Sequence, residues 1–350
     1  MLYKSRKMSI LIYISLAALL FLAVMFSSGL GSADIGFFRS LRILVSGIPF
    51  LDRLFDFSDI QQTHRVILFS VRLPRIVTAM LCGAGLSISG SVFQGMFRNP
   101  MADPYVLGIS SGAALGASLA ISLGLQVSLF GFGIIPLFAL AGAVAVTMTV
   151  YGIARTAGKL APLTLILSGI AVSFLCSSLV SFILISNREQ AHKIVFWTMG
   201  SMTGANWNNV LVMLPVVLIG SFLLIWQSGN INVLSTGDES ALSLGINTER
   251  LKRTLLLLGS VITAVCVAFT GIIGFVGLII PHGVRLVTGP DHRRLMPVSA
   301  LTGAIFLVLC DALARNVFAP MEIPIGAVTS LFGAPFFIYL LMKNKRRTFL

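Results

Sequence analysis

The sequence predicts an all-α polytopic membrane protein with about ten transmembrane helices. Of its 350 residues, 56% are hydrophobic and only 11% are charged, and the mean hydropathy is +0.96; a soluble domain of this length has a more mixed composition. Apolar runs of about 17 to 25 residues, each long enough to cross a hydrocarbon core of about 30 Å, recur along nearly the whole chain. The chain also has 33 glycines, which favour close packing of helices in lipid.

The apolar runs give one transmembrane domain, 1–350. It divides into a first helix (1–28), an outer loop (29–69), helices 2 to 6 (70–227), a cytoplasmic segment (228–253), and helices 7 to 10 with a basic tail (254–350). The first run follows Lys4, Arg6 and Lys7 but ends without a clear small-residue cleavage site, so we expect a retained helix rather than a signal peptide. The predicted spans lie near 8–28, 70–96, 107–127, 130–153, 162–185, 207–227, 254–273, 274–288, 297–315 and 324–342.

The distribution of positive charge predicts the orientation. The formal net charge is +13, which in a soluble protein would suggest nucleic acid. With the N-terminus inside and ten spans, however, 16 of the 25 Lys and Arg residues fall on the inner side, as the positive-inside rule requires. We therefore expect both termini in the cytoplasm and no nucleic-acid partner.

Catalytic and ion-coupling signals are weak. The four cysteines and four histidines are scattered singly, which does not indicate a metal or redox site. The stretch GIARTAGKL departs from a phosphate loop in spacing and in the residue after Lys159. Asp311 is the main ionisable residue in mid-span; it stands four residues before Arg315, so it could form a simple ion pair or have a functional role.

The polar segment between helices 6 and 7 predicts a helix, a turn and a second helix. Thr236 and Glu239 have the spacing of a capping box, so a short helix should begin at Gly237, and Gly245 is suited to end it. Asn247 or Thr248 can then cap the next helix. Two readings stay open: an amphipathic connector lying on the lipid headgroups, or a contact element for another protein.

Five stretches resemble the FecCD family, the permease subunits of ABC importers for iron siderophores, haem and vitamin B12. They occur in the family's order from residue 70 to the C-terminus: VRLPR (71–75), GAGLSISGSVFQGMFRNPMADPYVLGISSGA (83–113), GDESALSLGI (237–246), GFVGLIIPHGVRLVTGPDHRRLMP (274–297) and IPIGAVTSLFGAPFFIYLL (323–341). The resemblance implies a type II ABC importer permease architecture. It also implies a second permease copy in a homodimer, two ATPase subunits and an extracytoplasmic substrate-binding protein.

The resemblance also implies three sites. The first, in which ATPase coupling would occur, comprises Gly237, Asp238, Glu239, Ser240, Ala241, Leu244, Gly245 and Ile246. The second consists of the outward-facing arginines for docking the binding protein, which correspond to Arg72, Arg75 and Arg315; the first two flank Pro74 in the predicted first turn of helix 2. The third is a cytoplasmic gate at Leu160, Ala161, Pro162, Leu163 and Thr164, where Pro162 and Leu163 replace the small hydroxyl residues of the vitamin B12 member.

Together these features predict a non-catalytic permease subunit in the cytoplasmic (inner) membrane. It would carry a ferric siderophore, haem or cobalamin, and would bind no cofactor or metal itself, because ATP and Mg²⁺ would be used by the partner ATPase. Three alternatives stay open: a molybdate or tungstate importer permease of the same fold, a stand-alone secondary transporter, and a membrane enzyme. The near absence of mid-span carboxylates disfavours the second, and the lack of a nucleophile, base and acid constellation disfavours the third.

Overall fold

The computed structural model describes residues 6–31, 35–47, 60–125, 128–129, 132–156 and 162–348. Within these ranges the regular secondary structure is helical apart from one hairpin of two-residue antiparallel strands, Ser128–Leu129 (β1) and Phe132–Gly133 (β2). The helices are α1 Arg6–Gly29, α2 Phe37–Ser46, α3 Gln62–Val66, α4 Leu73–Met96, α5 Ile109–Ser122, α6 Ile134–Thr156, α7 Pro162–Ser186, α8 Arg188–Thr198, α9 Trp207–Trp226, α10 Ser228–Thr236, α11 Asp238–Ser243, α12 Thr248–Thr270, α13 Val276–Thr288, α14 His292–Asn316 and α15 Ile325–Thr348.

The described residues contain seven helical runs that are long and apolar enough to cross a membrane, and three shorter apolar helices. The short ones are α5, α13 and the part of α15 from Ile325 to Leu340. The all-α polytopic fold predicted from the composition is therefore confirmed. At 14 and 13 residues, α5 and α13 are only about 20 Å long, so neither spans the hydrocarbon core by itself.

Helix α4 is the centre of the bundle. A run of helix from Gln62 to Met96 contains it, 83% of the most apolar window of that run is buried, and α9, α12, α13 and α14 all pack against it. Glycines permit two of these approaches: a Cβ on Gly83 would overlap the backbone of Gly303 on α14, and one on Gly90 would overlap Gly277 on α13. The small-residue stretch thus serves close helix packing, as expected.

The start of the second helix was predicted wrongly. The helical run begins at Gln62 rather than near residue 70 and includes a π-helical stretch, Ile67–Arg72, between α3 and α4. Pro74 therefore lies well inside the run, directly after the π-helical stretch, where its missing N–H is tolerated because the hydrogen-bond register has already changed. Arg72 and Arg75 consequently do not stand at a free helix N-terminus.

Two predicted loops contain helices. The outer loop 29–69 includes α2 and the start of the run that leads into α4, and the loop 186–206 includes α8. The chain between α12 and α13 is not helical: Gly271 and Phe275 both have positive φ, at 68° and 70°. As a result α13 begins beside α4 instead of at a membrane surface.

Candidate functional site

The polar segment after α9 is built from α10, α11 and the start of α12. Gly237, with φ of 135°, separates α10 from α11. Helix α11 ends in a Schellman motif, in which the amide of Ile246 donates to the carbonyl of Ala241 and the amide of Gly245 donates to that of Leu242. Gly245 has φ of 80°, so its predicted role as the helix stop is confirmed.

Capping at the two helix starts was predicted half correctly. Asn247 caps α12, because its side chain accepts a hydrogen bond of 3.0 Å from the amide of Arg250, as expected. The capping box at Thr236 is wrong. Thr236 is the last residue of α10, and its hydroxyl bonds back to the carbonyl of Val233 at 2.8 Å; Gly237 precedes α11 with no side-chain cap.

Two cations hold the start of α11 against the bundle. The carboxylate of Asp238 pairs with Nζ of Lys252 on α12, and its Oδ1 lies 3.7 Å from a guanidinium nitrogen of Arg98, just after α4. The side chain of Lys252 is only 7% exposed, whereas that of Asp238 is 41% exposed. A buried ammonium paired in this way resists separation from its carboxylate more than an exposed pair does, so α11 is tied to both α4 and α12.

One side of α11 faces away from the helix bundle in this single chain. Glu239 and Ser240 are exposed, Ala241 is fully buried, and the side chains of Leu242 and Leu244 are 57% and 69% exposed. Sequence reasoning placed Leu244 in the predicted coupling site and missed Leu242. The helical spacing could have identified it, since Ala241 is the buried position and its neighbour must then face outward.

A buried ionic network lies at the opposite end of α4. Asp311 on α14 is fully buried; its Oδ1 accepts from Nε of Arg75 at 2.9 Å and its Oδ2 accepts from Nε of Arg315 at 3.1 Å. Arg75 also donates through Nη1 to both carboxylate oxygens of Glu322, at 3.0 and 2.9 Å. The predicted ion pair between Asp311 and Arg315 is therefore confirmed, and it belongs to a network of two arginines and two carboxylates.

Arginines at the same end of the bundle also hydrogen-bond to the C-terminal end of α1. Arg315 donates through Nη2 to the carbonyl and hydroxyl of Ser27, and Nη1 of Arg72 donates to the carbonyl of Ser28 at 2.6 Å. These carbonyls are at the C-terminal end of α1, where backbone acceptors lack intrahelical donors and cations are favoured. Arginine side chains here replace the missing donors.

The three predicted docking arginines are thus close together but buried. Arg72, Arg75 and Arg315 are 5%, 8% and 9% exposed, respectively, and their guanidinium groups bond to groups of this chain. In the single chain all three are buried against partners that sequence spacing could not reveal, namely Asp311 and the end of α1. Their docking role stays a prediction.

Glu322 is a network member that sequence reasoning missed. It lies in the connection between α14 and α15, its side chain is 36% exposed, and its Oε2 also accepts a hydrogen bond from the hydroxyl of Thr203 at 2.8 Å. Partial burial raises the pKa of this carboxyl, but the charge of Arg75 and the hydrogen bonds from Thr203 and Arg75 lower it more, so the pKa lies below 4.5. Glu322 is therefore ionised at neutral pH.

The predicted gate lies partly outside the described residues. Leu160 and Ala161 fall there, whereas Pro162, Leu163 and Thr164 form the first turn of α7. Pro162 is the first helical residue, a position that does not need its N–H, and Leu163 is 67% exposed. Its role as a gate stays a prediction.

The apolar helices define a multi-pass membrane protein. The chain belongs to the FecCD transport family, whose model matches residues 19–343. It is 48% identical over 288 residues to the cobalamin import system permease protein BtuC of Halobacterium salinarum, covering 82% of this chain and 76% of that protein. It is 40% identical over 291 residues to the hemin transport system permease protein HmuU of Yersinia pestis, covering 80% and 84%.

A solved structure agrees with the fold. It is an inward-facing ABC transporter assigned to the metal-chelate type, with a TM-score of 0.80 and 34% identity, covering 94% of this chain and 98% of that one. The predicted family and the predicted fold class are both confirmed.

Proposed function

We propose that this chain is the membrane-spanning subunit of an ATP-driven importer in the cytoplasmic membrane, with both termini inside. Two identical copies would surround the path, a separate ATPase would bind α11 on each copy, and a binding protein would deliver the substrate at the outer end. The chain itself would be non-catalytic. The relatives named for cobalamin and hemin support a metal chelate as substrate.

The proposal rests on how α11 is held against the bundle and on the side chains that it exposes. A six-residue helix with Asp238 and Glu239 in its first turn is held to α4 and α12 through Asp238, while Leu242 and Leu244 point away from the bundle. Apolar side chains that are exposed on a rigid polar segment are suited to insertion into a partner protein. Because α11 and α12 are tied together by Lys252, displacement of α11 would move a membrane helix.

Co-purification tests the ATPase contact. A tagged chain is extracted from native membranes in mild detergent, and the accompanying proteins are identified by mass spectrometry. We expect a stoichiometric ATPase with the wild-type chain and at least a tenfold loss of it with the double variant Leu242→Ser and Leu244→Ser. Ser243→Ala is the matched control, because Ser243 is exposed on the same helix and its hydroxyl only bonds to the carbonyl of Glu239.

Two outcomes would refute the proposal. One is a well-folded wild-type preparation without any ATPase, and the other is undiminished ATPase in the double variant. A permease variant that still reaches the membrane in normal amount, measured by immunoblot, excludes misfolding as the cause of a loss. Uptake of labelled cobalamin, haemin and a ferric hydroxamate by cells with and without the gene then identifies the chelate.

A further inference from the structure

Helix α2 has one face buried against the protein and another that the described residues leave uncovered. On the buried face, Ser40 and Ile43 are fully enclosed. Ser40 donates a hydrogen bond of 3.4 Å to the carbonyl of Ser28 at the end of α1, and Ile43 packs in a small apolar cluster with Leu68 of the π-helical stretch. The helix is therefore fixed to α1 and to the run that leads into α4, and its opposite face points away from both.

The uncovered side of α2 has an apolar stripe and a cationic edge. The apolar stripe consists of Phe38, Leu41 and Val45, which have the i, i+3, i+7 spacing of one helical face. The side chain of Phe38 is 78% exposed, and the other two are half-buried. Arg39 and Arg42 are both exposed and lie between this stripe and the buried face. Within the described part of the chain, the guanidinium of Arg39 forms no hydrogen bond or ion pair.

Contacts with α1 place the start of α2 at the edge of the hydrocarbon. The run Ile10–Gly29 is long and apolar enough to cross a membrane, and Phe26 in its last turn is 51% exposed. A Cβ on Gly29 would lie only 3.2 Å from the backbone nitrogen of Phe37, the first residue of α2. Phe26 precedes Gly29 by about 4.5 Å along the helix. The start of α2 is therefore within one helical turn of a residue that faces lipid.

We infer that α2 is a contact site for an anionic phospholipid at the membrane surface where α1 ends. The apolar stripe lies against the upper part of the acyl chains, at the depth that amphipathic interfacial helices adopt. Arg39 and Arg42 bind the headgroup phosphate, to which a guanidinium can donate two parallel hydrogen bonds. The ring of Phe38 favours lipid over a protein partner, because acyl chains cover an apolar group at this depth without any further subunit.

The lipid contact also fixes the end of α1. The carbonyl of Ser28 accepts hydrogen bonds from both Ser40 on α2 and Arg72. A lipid that holds α2 at the membrane surface therefore holds the same carbonyl that orients Arg72. This inference does not depend on which solute the protein carries.

Quenching of a fluorescent label by brominated lipids tests the inference. All four cysteines of the chain are buried, so Phe38→Cys can be labelled selectively with a small thiol-reactive fluorophore. The full chain, with any subunits that purify with it, is reconstituted in bilayers containing increasing fractions of brominated phosphatidylglycerol or brominated phosphatidylcholine. The two quenching curves give the relative association constant of the anionic lipid at position 38. We expect strong quenching and a preference for phosphatidylglycerol that falls about fivefold in Arg39→Gln and further when Arg42→Gln is added.

Two controls accompany the measurement. Arg188→Gln removes the same charge from the exposed start of α8 and should leave the lipid preference at position 38 unchanged. A label at Phe26→Cys, within the apolar run of α1, should be quenched by both lipids and shows that the chain is inserted in the bilayer.

Two kinds of result would overturn the inference. If brominated lipid quenches the label at position 26 but not at position 38, and aqueous iodide quenches position 38, then α2 lies in water, where only a protein partner could cover it. If the two lipids have equal association constants, or if Arg39→Gln leaves the preference unchanged, the arginines do not bind the headgroups.

Discussion

Neutralising Asp311 should destabilise the protein strongly. Asp311 is completely buried and accepts one hydrogen bond from Arg75 and one from Arg315. Asp311→Asn keeps the shape of the side chain but removes the single negative charge between two guanidinium groups. Glu322 still pairs with Arg75, so the uncompensated cation is essentially Arg315. Breaking a buried ion pair on one side costs about 3 to 5 kcal/mol, and we expect a loss of that size.

The assay is equilibrium unfolding of the purified chain in mixed micelles of mild detergent and dodecyl sulfate, followed by tryptophan fluorescence. Arg315→Gln in the Asp311→Asn background removes the cation together with the anion, so the double variant should be less destabilised than the sum of the two single variants by about 1 to 3 kcal/mol. A loss below about 1 kcal/mol for Asp311→Asn, or strict additivity in the cycle, would refute a structural ion network.

Three further predictions concern other contacts. Glu322→Gln should lower the thermal midpoint at neutral pH. Because the folded-state pKa of Glu322 lies below the ordinary value of 4.5, its contribution is fully present above that value and is lost as the pH falls through the lowered folded-state pKa. The difference from wild type should therefore shrink in a pH series that descends below pH 4.5, and a constant difference would contradict it. Gly90→Val should lower the free energy of unfolding by about 1 to 3 kcal/mol, because the larger side chain forces α4 away from Gly277. Wild-type-like stability in the same micelle unfolding assay would contradict this. Lys252→Gln should leave the fold intact but, by releasing Asp238, reduce ATPase activation by substrate severalfold; unchanged activation would show that this pair does not transmit movement.

At some positions the residues close in sequence were sufficient to predict the structure. Gly245 and Asn247 end and begin helices through bonds to residues within five positions of themselves, so propensity and spacing predict them. The spans follow from apolar length in the same way. At these positions the backbone geometry depends on residues that a short window contains.

Where the predictions were wrong, contacts between residues distant in sequence determine the structure. Thr236 does not cap α11 because α10 precedes it, and α10 is held by a distant partner: the side chain of Asn232 donates to Asp291 at 2.6 Å and accepts from the amide of His292 at 2.8 Å. Likewise Arg75 is buried because Asp311, 236 positions away, supplies its counter-charge. Neither partner can be assigned from one sequence, since periodicity reports which face is buried but not what covers it.

Helix α4 connects the two ends of the proposed mechanism. Its N-terminal end bonds through Arg75 to Asp311 and Glu322, and just beyond its C-terminal end Arg98 lies beside Asp238 at the start of α11. The helix is buried along most of its length, and close contacts at Gly83 and Gly90 leave no room for it to bend locally. A displacement at α11 would then move α4 together with α14, which keeps Asp311 beside Arg75, so a change at the far end would fall on the contact between Arg75 and Glu322 in the connection to α15. If an ATPase moves α11, the contact between Arg75 and Glu322 should have a second arrangement, and double variants at Lys252 and Glu322 should be non-additive in transport but additive in stability.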